Sequence, residues 1–393
     1  MRNQSPWGAL SRWAVFAASA ASLLGCAQPI DDEPTFVFAQ EAPLSIVTAD
    51  GATLSRRGRF VTDLSGVSTR APEFYGRSAS RHAHPAPATP AQLAEALRPV
   101  TVVGNYEYVG APSTMDAEPV LARLRAGASA TASAETSAAD LAKELRSGVA
   151  DEATMFGADD RETVTNTTLN PYSAQVAMWH KTPTGRFGCS ATLIGATTAI
   201  AAAHCFHTGA GGSWRPTLTW AAGARASVAD SYPYGQVTGC YTAYLPAAFI
   251  TSDSESPQYD YAVIDFAGPG GCGYTPGATA GHLLWGNYPD ADIDQNTAYL
   301  FGYPTASSGP YPVQRGMGVG AGAVNLSSLY PDYVFYSYLD TSDGQSGAAL
   351  FQNIHGGFNA VAIHVGPWDS DEDVARRITS DVAAFITANS VEY

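Results

Sequence analysis

Three residues of this sequence have the types and the settings to do chemistry together: His204 in "TAIAAAHCF", Asp260 in "YDYAVIDF" and Ser346 in "DTSDGQSGAALF". A hydroxyl attacks a carbonyl only when a base takes its proton, and the base works best when an acid orients it. Taken singly, each has an ordinary explanation: a packed core histidine, a strand-end carboxylate, a serine in a turn rich in Asp, Ser and Gly. Taken together they point to acyl transfer. Gly344 and Gly347 permit the tight backbone turn that would aim the Ser346 side chain outward. The N–H groups of Gly344 and Ser346 are the expected oxyanion hole, where losing one donor typically costs about 3 to 4 kcal/mol of transition-state stabilisation.

These groups need elements to hold them. His204 follows an apolar, strand-like run and precedes Cys205, which lies sixteen residues after Cys189 in "FGCSATLIG". A bridge between these cysteines would staple two neighbouring strands and fix the histidine backbone. The acid presents a choice, because Asp260 and Asp265 both flank the apolar run "AVI". Asp260 precedes the run and could reach back to the histidine, whereas Asp265 ends it and is expected to face solvent or a turn. Asp260 is therefore the expected partner. His207 forms an H-x-x-H pair with His204, but no third metal ligand is evident and no metal is assigned.

From about Glu152 onward, short apolar, β-branched or aromatic runs alternate with Gly, Pro, Asn and Ser, among them "AQVAMWH", "GCSATLIG", "YVFYSYL" and "NAVAIHVG". That pattern predicts an all-β barrel or sandwich. One helix is expected at the end, capped by Ser380, with Val382, Phe385 and Ile386 on one face. Residues 27–153 read differently. Stretches such as "RHAHPAPATPAQ" and "AGASATASAETSAAD" have linker or low-complexity composition, interrupted by patterned pieces such as "TVVGNYEYVG" at Thr101 to Gly110. This region is expected to be a poorly ordered propeptide.

The whole chain has 393 residues and a formal charge of -15, with Lys143 and Lys181 its only lysines. Binding phosphates takes clustered Lys and Arg, so nucleic acid is not an expected partner. Residues 1–26 match an export signal: Arg2 and Arg12, the apolar run "WAVFAASAASLL", then "LLGC". "LLGC" also resembles the lipobox of bacterial lipoproteins, in which Cys26 would be lipidated and would anchor the precursor to a membrane. With Cys26 set aside, four cysteines remain, allowing three connectivities. An oxidising compartment favours pairing over metal binding, and the expected bridges are Cys189–Cys205 and Cys240–Cys272. The acidic runs "SDSES" and "DSDED" have calcium-type donors but are more commonly solvated loops, so no cofactor is expected.

The runs "FGADDRETVTNTTLNPY", "GCSATLIGATTAIAAAHC", "YPYGQV", "YDYAVIDF", "GYP", "DTSDGQSG", "AVAIHVG" and "RRIT" resemble the secreted bacterial glutamyl endopeptidases, the V8-like branch of the trypsin-like serine proteases. The likeness runs from about Phe156 to the C-terminus. It implies a trypsin-like double β-barrel over residues 154–393, with the triad His204, Asp260 and Ser346 in the cleft between the barrels. The order His, Asp, Ser is that of chymotrypsin-like enzymes. The resemblance also implies a secreted endopeptidase acting on protein or peptide substrates after glutamate, less so aspartate, and the chain is expected to be a monomer. Its S1 pocket would recognise the substrate carboxylate through Thr341 and His364.

Asp340 lies six residues before Ser346, the spacing at which trypsin binds Arg or Lys side chains. A basic or small P1 preference is therefore a second expectation, and a protease-like module without turnover a third. Three features depart from the family: Asp343 adds an acid near the pocket, "SGAA" follows the nucleophile in place of "SGSP" or "SGGP", and the family offers no match for Cys240–Cys272. Gln345 stands where trypsin has the aspartate that pairs with a newly formed N-terminus, so activation must differ. The mature start aligns near Thr154, and cleavage is expected between Asp151 and Met155, with Glu152 a self-processing site.

Overall fold

A computed structural model of the chain describes residues 45–47, 52–59, 89–103, 106–123, 156, 158–182, 185–225, 231–251, 257–305, 312–326, 331–368 and 372–390. The signal segment, Cys26 and the cleavage region 151–155 lie outside the described residues. So do residues 252–256 and 369–371, which hold "SDSES" and most of the acidic run "DSDED". No helix among the described residues is long and apolar enough to cross a membrane.

The N-terminal part contains β1 (Ser45–Val47), β2 (Thr53–Arg59), helix α1 (Pro90–Ala96), β3 (Pro99–Val103), β4 (Tyr106–Val109) and helix α2, described over residues 118–123. Strands then dominate: β5 (Glu162–Thr163), β6 (Gln175–Thr182), β7 (Gly185–Leu193), β8 (Thr198–Ala201), β9 (Thr219–Ala222), β10 (Val237–Thr238) and β11 (Thr242–Pro246). After helix α3 (Ala247–Thr251) come β12 (Ala262–Asp265), β13 (Leu284–Trp285), β14 (Ala298–Gly302), β15 (Arg315–Val319), β16 (Val324–Asn325), β17 (Tyr333–Tyr336), β18 (Ala349–Ile354), β19 (Gly357–Pro367) and β20 (Asp373–Arg377).

These strands make two sheets, the trypsin-like double β-barrel expected from the sequence. The first runs β1-β2-β4-β3-β11-β12-β8-β7-β6-β9-β10, and the second runs β16-β17-β20-β19-β18-β14-β15-β5 with β13 parallel to β19. The first barrel closes on Trp220, Tyr244, Tyr261 and Phe266, all essentially without solvent exposure. The closing helix spans Ser380–Ala388 and buries Val382, Phe385 and Ile386 as the spacing predicts. Its N-cap is Thr379 and not Ser380: the boundary falls one residue earlier than the serine suggested, within the usual uncertainty of helix ends.

Within the region expected to be a poorly ordered propeptide, the described residues form four strands and two helices. The patterned run at Thr101 to Gly110 supplies the centre of that small sheet, β3 paired with β4. Its Pro90–Ala96 helix begins with a full capping box, Thr89 and Gln92 satisfying each other's backbone N–H groups.

Candidate active site

Strand pairing explains why one aspartate and not the other meets the histidine. β8 and β12 are antiparallel, with Ala201 opposite Ala262 and Thr198 opposite Asp265. The chain leaves β8 and enters β12 at the same end of the sheet, so His204, just after β8, and Asp260, just before β12, emerge side by side. Asp265 is at the far end, buried, and accepts a hydrogen bond from the Ala267 N–H at 2.8 Å. It faces a turn, as expected, but not solvent.

His204 sits in a tight turn, Ala203–Cys205, fastened by the disulfide from Cys205 to Cys189 on β7, with Cα atoms 6.2 Å apart. The Arg215 guanidinium donates to its carbonyl at 2.7 Å. Asp260, fully buried, uses both oxygens: one accepts from the His204 backbone N–H at 2.9 Å, the other lies 2.7 Å from the ring Nδ1. A carboxylate can only accept, so Nδ1 carries the hydrogen and Nε2 is the basic nitrogen.

Ser346 comes from the second barrel, in the turn before β18. Gly344 and Gly347 have φ of +92° and +89°, a region costly for residues with a side chain. A Cβ on Gly344 would meet the Tyr303 carbonyl oxygen at 2.5 Å, and one on Gly347 the Ser190 carbonyl oxygen at 2.2 Å. The N–H groups of Gln345 and Ala348 donate within the turn, and that of Gly347 donates to the His364 carbonyl. Those of Gly344 and Ser346 stand outside that set, as an oxyanion hole requires. Ser190 stitches this turn to the histidine side: its N–H donates to the Ser346 carbonyl at 2.8 Å and its hydroxyl to that of Gly344 at 2.7 Å. Because Ser190 follows Cys189, one short run holds both the His204 turn and the Ser346 turn. The Ser346 hydroxyl donates to the Val365 carbonyl at 3.3 Å.

The pocket residues are engaged with partners that sequence reasoning missed. Thr341 donates its hydroxyl to the buried Asp373 carboxylate at 2.6 Å. His364 meets the Tyr336 hydroxyl through Nδ1. Burial pushes the His364 imidazole down to about 3, helped by the nearby His204, so it is neutral near pH 7. Asp340 accepts from the backbone N–H groups of Phe156 and Asp160, each at 2.8 Å. Its spacing suggested a floor for basic side chains; instead it holds the start of the catalytic region. Arg161 completes that attachment, donating to Ser342 at 2.5 Å and to the Gln345 carboxamide oxygen at 2.6 Å. Gln345, whose type excluded a trypsin-like ion pair, thus receives a guanidinium.

Asp343 is half-buried in the same turn, and its carbonyl accepts from the Thr305 N–H at 2.7 Å. The structure pairs Cys240 with Cys272, Cα atoms 4.9 Å apart. His207 packs edge-on against Trp214, and its Nδ1 accepts from the Gly209 N–H at 3.1 Å. Among the described residues Cys189, His204 and Cys205 converge within 4.8 Å. Both sulfurs are consumed in a disulfide and the histidine Nδ1 is held by Asp260, so this set does not fit a metal ion.

No protein-family model matches the sequence. The chain is 28% identical over 242 residues, 61% of its own length and 69% of the relative's, to an extracellular metalloprotease of Bacillus subtilis (strain 168). It is 29% identical over 198 residues to a glutamyl endopeptidase of Bacillus licheniformis, covering 50% of this chain and 54% of that relative, about half its length. Among solved structures, a Glu endopeptidase in complex with MPD matches at 23% identity and a TM-score of 0.48, covering 59% of this chain and 98% of the other. The protease Anisep from Arthrobacter nicotinovorans matches at 14% identity and a TM-score of 0.45, covering 59% and 100%. In sequence the chain is similar to the glutamyl endopeptidases of the V8-like branch of the trypsin-like serine proteases.

Proposed function

We propose that the chain is an exported serine endopeptidase, made as a zymogen, that hydrolyses peptide bonds after glutamate and less readily after aspartate. The observation that carries this reading is the His204–Asp260 pair, held at 2.7 Å and at one end of β8 and β12, with the Ser346 turn stitched to the same disulfide-bearing run. Ser346 Oγ rotates away from the Val365 carbonyl and attacks the scissile carbonyl carbon, while His204 Nε2 takes its proton. Asp260 stabilises the imidazolium through Nδ1, and the N–H groups of Gly344 and Ser346 receive the oxyanion. The imidazolium then protonates the leaving amine, giving an acyl-enzyme. Water attacks it by the same route, His204 again serving as base and then as acid.

Glutamate preference draws support from the glutamyl endopeptidase relative and from a buried, neutral His364. If the Tyr336 hydroxyl donates to Nδ1, the other ring nitrogen carries a hydrogen for the substrate carboxylate. The two backbone N–H groups that Asp340 accepts count against the basic-P1 alternative. The extracellular name of one relative supports export, and processing is expected between Asp151 and Met155.

A fluorophosphonate probe is expected to label the processed protein and not Ser346→Ala; absence of labelling in both would overturn the enzyme reading in favour of a binding module. A peptide library then reads selectivity. Wild type is expected to cut after Glu, and His364→Ala to lose about tenfold or more of its Glu-over-Ala ratio in kcat/KM; cutting after Arg, Lys or small residues overturns the S1 assignment.

A further inference from the structure

The N-terminal unit is built into the catalytic barrels. β3 extends the first sheet at the free edge of β11, antiparallel, with Val100 opposite Leu245 and Pro99 opposite Pro246. The Arg98 carbonyl continues the pairing, accepting from the Ala247 N–H at 2.8 Å. The apolar side chains of the unit do not form a separate core. Leu93, Leu97, Val100, Val120 and Leu121, each 2% exposed or less, belong to one continuous cluster with Leu245 and Phe249 of the barrel and Phe385 of the closing helix.

Charge complementarity marks the other end. Arg123 of α2 donates from Nε to Asp332 at 2.8 Å and from Nη2 to Asp381 at 2.7 Å, and its third nitrogen reaches the Ser380 hydroxyl at 3.2 Å. Both carboxylates are nearly inaccessible to solvent, and both also face the fully buried Arg376. Two buried acids shared between two guanidiniums are near neutrality; with one guanidinium withdrawn they carry excess negative charge out of reach of water. The Glu107 carboxylate of β4 also accepts from the Trp214 indole at 3.3 Å, and Trp214 bridges to His207, three residues past His204.

We propose that residues 45–123 are a lasting non-covalent subunit of the enzyme: once the connecting segment 124–155 is cut, the unit stays seated on β11 and on the Asp332–Asp381 pair. Departure would break the apolar cluster that the unit shares with the barrel, leave the N–H and C=O groups of a barrel strand unpaired, and strand a buried carboxylate pair. An open edge of this kind is also a template for aggregation. The unit is therefore the protein partner that this surface fits, joined by strand addition and a buried ion pair.

The test does not depend on which peptide bond the enzyme cuts. In full-length Ser346→Ala protein, a recognition sequence for a site-specific protease is inserted between residues 135 and 140, and the chain is cut to completion as judged on a denaturing gel. The two pieces are expected to co-elute on native size exclusion at the mass of the uncut chain, at micromolar concentration and in moderate salt. Separation of the pieces under those conditions overturns the proposal. In the same background, Arg123→Glu is expected to raise the released fraction at least tenfold. Should that variant not fold, the cut Arg123-intact protein is titrated with urea: the small piece is expected to leave only as the barrel unfolds, and its loss while the barrel keeps its near-ultraviolet dichroism also overturns the proposal.

Discussion

The two catalytic turns are held in different ways. On the histidine side, main-chain pairing, a disulfide and a carboxylate using both its oxygens fix His204 before any substrate arrives. On the serine side, a pair of left-handed glycines sets the backbone, but the polar side chains are occupied with one another: Ser346 with the Val365 carbonyl, Thr341 with Asp373, His364 with Tyr336. In the proposed mechanism the base is ready-made, whereas the proposed nucleophile and S1 residues exchange internal partners for substrate. Binding energy from the substrate is thus drawn on by the second barrel far more than by the first.

That contrast can be broken most forcefully at Asp260. Asp260→Asn keeps the shape but can donate to the ring, favouring the wrong histidine tautomer; kcat is expected to fall about ten-thousand-fold, by analogy with other triads, with KM little changed in steady-state assays. Next comes Gly344→Ala, which forces a side chain into φ of +92° and against the Tyr303 carbonyl. About 1 to 3 kcal/mol of stability should be lost, read by urea unfolding, together with most of kcat. Asp373→Asn removes a buried negative charge from beside Thr341, and kcat/KM for Glu substrates is expected to rise several-fold while that for Ala substrates stays level. If both rise equally, Asp373 does not act through the carboxylate pocket.

The smallest effect is on acid stability. Burial lowers His180 and His207 to about 4 and His364 to about 3, below the usual 6.5. Below 6.5 the unfolded chain takes up protons that the folded one refuses, so stability rises with pH in this window. These groups contribute fully above about pH 6.5, and their contribution drains as pH falls toward 3. Unfolding midpoints measured between pH 7 and pH 4 should decline accordingly, and more shallowly in His207→Gln. An unchanged slope in that variant argues against a neutral buried His207.

Much of the histidine side was legible because it depends on local order: an apolar run before His204, a run after Asp260, and cysteines that could staple adjacent strands. The antiparallel register of β8 and β12 turned that order into geometry. The serine was legible from its glycines. Its surroundings were not, because Asp340 is satisfied by amides 180 and 184 residues away in the chain, and spacing to Ser346 carries no trace of them. Asp373 was hidden in an acidic run that reads as solvated, and Tyr336 in a strand whose aromatics read as core. The N-terminal unit was obscured by its flanks, Pro- and Ala-rich stretches diluting the few residues that pair and pack.

The anchoring of Asp340, Ser342 and Gln345 by residues 156–161 bears on how the enzyme can be manufactured. A gene trimmed beyond Arg161 would delete the guanidinium that steadies the residue next to the nucleophile, whereas an affinity handle fused directly ahead of Phe156 would crowd the Asp340 carboxylate. Purification handles therefore belong upstream of residue 45, with the native junction left untouched.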